Sequence, residues 1–396
     1  MKKSDTEQIR QENKKQIIET LRSRGAMARV DLRKLVNLSP ATVTAITADL
    51  INDGIIQEVS GDGSPAVGRG RPRVLIDLVK DSVLVLGVKL SMNEIRIMLG
   101  DIKGNIINES IIEVQTLKFD ESALLLSLET TIGGFISALP SSQSSKIKAI
   151  GVAVQGFVDT NKGDIVWSPA LSFRHVSITQ QLEQHFQLPV TLANDANCIA
   201  IAISNQPAYQ ALQNYVVIML GYGVGMGMIL NGRLYSGHHG AASEFGHTKY
   251  ETDGAQCQCG KRGCIEAYVS DYALYNDASA MSLLPRVDQL HPSESEMLLL
   301  NQMAENKDLN ILSLFERAGR VLGYGIANIL ALISPEKVII SGPGIRAFPY
   351  MRSGLMSGLE NALVPELIAQ TQIEPFEWQE DLTGKGVLVL ALKSID

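Results

Sequence analysis

His247 is followed, ten positions on, by Cys257-Gln258-Cys259-Gly260-Lys261-Arg262-Gly263-Cys264, so three of the chain's four cysteines fall within eight residues. One imidazole nitrogen and three thiolates make a closed tetrahedral donor set, the kind that a structural zinc takes; a catalytic zinc keeps a position open, and this set leaves none. Buried cysteines or a redox pair are the alternatives. The charged start, Met1-Lys2-Lys3-Ser4-Asp5, has no apolar signal core, so the chain is expected in the cytoplasm, where thiols stay reduced and a disulfide framework is disfavoured. Gly260 and Gly263 supply turns within Cys-x-Cys-x4-Cys, a pattern that packing does not explain, and structural Zn2+ is the expected cofactor.

A second chemistry lies near the N-terminus. Gly68-Arg69-Gly70-Arg71-Pro72-Arg73 is a slim, extended cationic segment resembling an AT-hook, and Arg69 and Arg71 suit a narrow A·T-rich minor groove. The elements before it fit a DNA reader. Ile17, Ile18 and Leu21 recur at helical spacing over 13–21, and a short helix is expected over 29–36 with Val30, Leu32 and Leu35 packing inward. Ser39-Pro40 is a helix start, an N-cap serine with proline at the first position, and Gly54 is a stop. The helix between places Val43, Ile46 and Leu50 inward and Thr42, Thr44 and Thr47 outward. Strands over 55–59 and 74–78 complete a winged helix-turn-helix, whose second helix enters the major groove with Ser39, Ala41, Thr42 and Thr44 as the expected contacts. A three-helix cap without DNA is the plain alternative.

Charge favours the DNA reading. The net charge is −7, yet residues 1–80 carry 14 Lys/Arg against 10 Asp/Glu, while the remainder carries 21 against 32. A basic head on an acidic body is the asymmetry of a DNA-binding module joined to a small-molecule domain. The longest apolar run, 216–230, is broken by Gly221, Gly223, Gly225 and Gly227 and is too short to span a membrane; no membrane partner is expected.

Glu244-Phe245-Gly246-His247 followed by Cys-x-Cys-Gly-x-x-Gly-Cys-x-Glu, ending at Glu266, resembles the signature of the ROK family, which contains sugar kinases and sugar-responsive repressors. The resemblance extends over nearly the whole chain. It implies an α/β chain: a winged helix-turn-helix over 1–80, then a two-lobed actin-like (ribonuclease H-like, ASKHA) sugar-binding domain carrying the structural zinc. The first lobe is expected over 81–195, the second over 196–377, and the tail 378–396 is expected to return to the first. By the same resemblance Asn194, Asp195, Glu244 and Glu266 contact sugar hydroxyls, and His247 serves both metal and sugar. Each acid taken alone also reads as a helix cap or surface charge. The loop Ser168-Pro169-Ala170-Leu171 resembles the family's sugar-closing loop but departs from it after Leu171.

The family's kinases carry Asp-x-Gly-Gly-Thr-Lys on the first hairpin, where this chain reads Lys89-Leu90-Ser91-Met92-Asn93-Glu94. The aspartate and both glycines are missing, so the phosphate cradle is degraded and no ATP is expected. The second phosphate loop, Leu220-Gly221-Tyr222-Gly223-Val224-Gly225, keeps its glycines without the threonine. Asp195 keeps the place of the kinase general base as a vestige. The expected protein is a sugar-sensing transcriptional regulator, a repressor of carbohydrate uptake or catabolism genes. Its expected partners are operator DNA, a sugar or sugar phosphate, and one or three copies of itself. The rivals are a sugar kinase and a regulator whose signal is a sugar-transport protein; an activator role stays open. The segment 276–306 has weak periodicity and receives no function.

Overall fold

The computed structural model describes residues 3–60, 74–240, 243–284, 291–379 and 381–396. The chain divides into two compact units, one of Met1–Ala193, Ile201–Gln210 and Thr383–Asp396, the other of Asn194–Ala200 and Ala211–Leu382.

In the first unit, helices Lys3–Arg24, Arg29–Val36 and Pro40–Asn52 precede a small sheet in which Val74–Leu78 lies between Met27–Ala28 and Ile56–Ser60. Ile56 pairs with Leu78 and Ser60 with Val74, so the wing strands run antiparallel. The opening helix is longer than its apolar spacing announces, and it is held along its polar side. Arg10 pairs with Asp49, and the Lys14 ammonium lies 3.0 Å from Asp53, both acids belonging to the helix Pro40–Asn52 and its cap. Ile17 and Leu21 pack with Leu32, Val36, Val43, Ile46, Leu50, Ile56, Ile76 and Leu78. Two expectations fail here: Val30 is 65% exposed and Leu35 46%. The helix Arg29–Val36 buries the expected Leu32 together with Val36, four residues apart on one face.

This small core does not stop at the wing. It runs into Val85, Ile102 and Ala149 of the neighbouring sheet and Leu388, Ala391 and Leu392 of the helix Leu382–Lys393. That sheet has the strand order Val190–Asn194, Ile147–Val154, Leu84–Ser91, Glu94–Asp101, Ile106–Glu113. One face, with Leu86, Val88, Ile95 and Ile97, packs on Leu124, Leu128 and Ile132 of the helix Glu121–Ala138 and on Leu182. The other face takes the helix Leu382–Lys393 so closely that a Cβ on Gly151 would lie 2.6 Å from the Val387 carbonyl oxygen.

The second unit repeats the plan. Arg233–Leu234, Val224–Leu230 and Tyr215–Leu220 form an antiparallel meander, and Lys337–Ser341 and Gln372–Pro375 continue it in parallel. Helices Leu309–Ile333 and Phe348–Ala362 cover a face, burying Phe315, Leu322, Ile326, Met351 and Leu355. Within the segment that the sequence left without a role, the helix Glu294–Glu305 begins with a full capping box between Ser293 and Glu296. No helix among the described residues is long and apolar enough to cross a membrane.

Candidate nucleic-acid, metal and carboxylate sites

Asn37, at φ 52°, turns the chain out of the helix Arg29–Val36. Ser39 then stands in extended backbone, its Oγ accepting from the Thr42 amide at 3.1 Å, with Pro40 at the first helical position. The cap satisfies an amide that a helix start otherwise leaves orphaned. Ala41 and Thr44 are exposed, Thr42 is half-buried, and together they form a small, uncharged surface at the start of the helix Pro40–Asn52. Thr47 corrects the expectation of an outward face: it is fully buried. Its Oγ1 accepts from Arg29 Nε at 3.0 Å and donates to the Thr44 carbonyl at 3.2 Å. Position 47 shares the inner stripe with 43, 46 and 50, and Arg29 supplies the partner that a buried hydroxyl requires. Gly54, at φ 71°, ends the turn. Arg69 and Arg71 lie outside the described residues.

In the second unit, His247, Cys257, Cys259 and Cys264 bring their ligand atoms within 4.8 Å of one another. Cys257 Sγ lies 3.7 Å from His247 Nδ1, and Cys259 Sγ lies 3.8 Å from Cys264 Sγ. A tetrahedron with Zn–S bonds of about 2.3 Å has sulfur–sulfur edges of about 3.8 Å, so the donor set fits a zinc ion. The loop is made for that convergence. Gly260 (φ 87°) and Gly263 (φ 73°) take left-handed turns, and the Cys257 amide donates to the Lys261 carbonyl at 2.8 Å. Burial pushes the Cys257 and Cys264 thiols above their ordinary range, so without an ion they stay protonated.

The carboxylates adjoin this cluster. Glu266, 7% exposed, opens the short helix Glu266–Val269. Its Oε2 accepts from the Val224 amide at 3.1 Å, and its Oε1 accepts from Cys257 Sγ at 3.4 Å and from the Tyr272 hydroxyl at 3.4 Å. Asp195, 6% exposed, is the first residue of the helix Asp195–Ser204, and Asn194 Oδ1 caps that helix by accepting from the Ala196 amide at 2.8 Å. Glu244 is pushed up to about 8, first by burial, then by the negative charges of Asp195 and Glu266. Asn194, Asp195, Glu244, His247 and Glu266 thus all belong to the second unit, with Asp195 and Glu266 both close enough to perturb Glu244. The fourth cysteine, Cys198, is buried in the helix Asp195–Ser204.

Several neighbours were invisible in the sequence. The Tyr222 hydroxyl donates to Gln258 Oε1 at 2.6 Å, fastening the tip of the 215–230 hairpin to the cysteine loop. Its ring centroid lies 3.9 Å from that of His291. Arg346 holds Asp271 at 2.7 Å and Glu294 at 3.2 Å. Tyr222 lies among glycines that read as a phosphate loop or a tight hairpin. His291 and Glu294 lie in the segment without periodic signal.

Comparison with known proteins places these features together. Residues 85–393 match the model of the ROK family, and residues 10–57 match a winged helix-turn-helix DNA-binding model. The chain is 30% identical over 336 residues to the putative xylose repressor of Caldicellulosiruptor sp. (strain Rt8B.4), covering 84% of this chain and 83% of that protein. It is 28% identical over 338 residues to the DNA-binding transcriptional dual regulator NagC of Escherichia coli (strain K12), covering 84% and 81%. Its fold matches the crystal structure of a ROK family transcriptional regulator, a homolog of the E. coli MLC protein, with a TM-score of 0.81 at 24% identity and 97% of each chain covered. With a family match over most of its length and a winged helix-turn-helix ahead of it, this chain belongs to the ROK family.

Proposed function

We propose that the protein is a sugar-responsive DNA-binding regulator, a repressor of genes for carbohydrate uptake or catabolism. The observation that carries this reading is the presence, in one chain, of a capped recognition helix and a set of buried Asp195 and Glu266 with half-buried Asn194 and Glu244 beside a metal-type cluster. The helix Pro40–Asn52 enters a major groove and reads it through Ala41, Thr42 and Thr44, with Ser39 fixing its start. Arg69 and Arg71 hold the flanking minor groove. Asn194 and Asp195 grip adjacent hydroxyls of a sugar or sugar phosphate. Glu244, which keeps a proton at neutral pH, donates to a further hydroxyl, and Glu266 accepts. His247, Cys257, Cys259 and Cys264 would hold Zn2+, which supplies a fixed scaffold for Glu244 and Glu266. A homodimer or homotetramer presents two heads to successive half-sites, and sugar favours one conformation. A roughly 100-fold preference shifts that equilibrium by about 2.7 kcal/mol. The names of two relatives, the putative xylose repressor and the N-acetylglucosamine repressor of Escherichia coli O157:H7, make xylose and N-acetylglucosamine the first sugars to try.

The kinase alternative is disfavoured by backbone already engaged. The Asn93 amide, in the turn where kinases bind phosphate, donates to Thr116 Oγ1 at 3.1 Å, and the Val224 amide of the second loop is bonded to Glu266. Fluorescence anisotropy of labelled DNA from upstream of the coding region, against scrambled competitor at fixed salt, tests the proposal. Selective binding abolished by one sugar supports it. Equal, weak binding to both probes argues against it. Release by a sugar-transport protein alone replaces the small-molecule signal, and sugar-dependent ATP consumption restores the kinase reading.

A further inference from the structure

We infer that Lys249 is a positioning residue of the cysteine–histidine cluster, its ammonium fixing the Cys264 sulfur and offsetting the surplus negative charge of three thiolates. This rests on the zinc reading above. Two positive charges on the ion against three thiolates and a neutral imidazole leave a net charge of about −1, and a nearby cation stabilises such a set. Lys249 Nζ lies 3.2 Å from Cys264 Sγ and donates to the Arg262 carbonyl at 2.6 Å. The backbone holds it there. Lys249 bridges Cys264 in antiparallel register, the Ile265 amide donates to the Thr248 carbonyl at 3.0 Å, and the Tyr250 amide donates to the Gly263 carbonyl at 2.8 Å. The stem of Lys249 therefore runs beside the segment that carries Cys264, and the carbonyl of Arg262 orients its head. Arg262 is directed elsewhere, with Nε toward the Asp253 carbonyl and Nη1 toward Gln256 Oε1.

Nothing in the motif announces this lysine, since it lies outside the Cys-x-Cys-x4-Cys run. The residue as a whole is exposed, so water and salt screen part of its charge. A partner of this kind sets metal affinity through the ligand it holds, by about tenfold at the lower end of the usual range.

The test is zinc affinity of the full chain by competition with a colorimetric chelator, for wild type, Lys249→Met and Lys249→Arg, at low salt and at about 0.5 M salt. Lys249→Met keeps the length of the stem and removes the charge. It is expected to bind zinc about tenfold more weakly at low salt, with the gap shrinking at high salt, while Lys249→Arg stays within about twofold of wild type. A Lys249→Met affinity equal to wild type, or a Lys249→Arg affinity as weak as that of Lys249→Met, overturns the inference alone. Wild-type protein that takes up no zinc overturns the metal reading, and the inference with it.

Discussion

Arg22 and Asp396, 374 positions apart, form a two-pronged ion pair at 2.6 and 2.8 Å. Their side chains are only 3% and 6% exposed. Arg22 Nε also donates to the Ile102 carbonyl at 2.8 Å, and Lys15 Nζ reaches the Lys393 carbonyl at 2.9 Å. The helix that begins the DNA-reading head is therefore seated on the sheet and the last helix of the first unit, where the two share one apolar core.

Removing one partner of a buried pair leaves the other charge uncompensated, which costs about 3–5 kcal/mol. Arg22→Met is expected to destabilise the first unit by about that amount in urea unfolding. The double variant Arg22→Met/Asp396→Leu should recover much of the loss, because it strands no charge. Unfolding of Arg22→Met that overlays wild type would mean the pair contributes nothing.

One zinc per chain is expected by elemental analysis. After chelation, the half-buried Cys259 thiol should react quickly with a disulfide reagent, while Cys198, Cys257 and Cys264, buried and held protonated, react slowly until the chain unfolds. A Cys259 that reacts as fast before chelation as after it would count against the metal centre.

Thr44 is exposed on the helix Pro40–Asn52. Thr44→Glu brings a negative charge toward phosphates and is expected to weaken DNA binding at least tenfold, with stability within about 0.5 kcal/mol of wild type. Ser39→Ala removes the cap and should cost about 1 kcal/mol of stability as well. Anisotropy and thermal unfolding of each variant separate the two effects; unchanged DNA affinity in Thr44→Glu would take this face out of the groove.

Glu244, raised to about 8 in the fold from its ordinary 4.5, keeps a proton that the unfolded chain releases. Its contribution to stability is fully present below the unfolded value and is lost as pH rises toward about 8. Glu244→Gln should therefore be more stable than wild type in the metal-stripped protein, by a margin that grows between about pH 4.5 and 8 and then levels. Denaturant midpoints measured across that range give the margin, and a flat difference would show that Glu244 is solvated.

Much of the local structure was legible because its causes are local. Ser39-Pro40 specifies a helix start through one side-chain oxygen and one fixed φ, and both act within three residues. The cysteine run carries its own turns in Gly260 and Gly263, so the loop that gathers three sulfurs is written in eight consecutive residues. Alternation of strands and helices told the order of the elements, and the resemblance told the fold.

What failed was whatever depended on a distant neighbour. Thr47 reads in sequence as an outward threonine, yet it is buried where Arg29 offers a donor from another helix. The polar start of the helix Lys3–Arg24 has no apolar period to announce it, and it gains ion pairs with Asp49 and Asp53 instead. Asn194 and Glu266 could be named from the sequence, but their capping of a helix and engagement of the Val224 amide and Cys257 could not. By itself, then, the sequence determined the backbone turns, the caps and the donor set, because these follow from φ, ψ and short-range hydrogen bonds. Tertiary structure alone decided which distant side chains meet, from buried Arg22 with Asp396 to exposed Lys249 with Cys264, because a charge taken from water requires a partner, and an exposed one a fixed neighbour, that only the packed chain brings within reach.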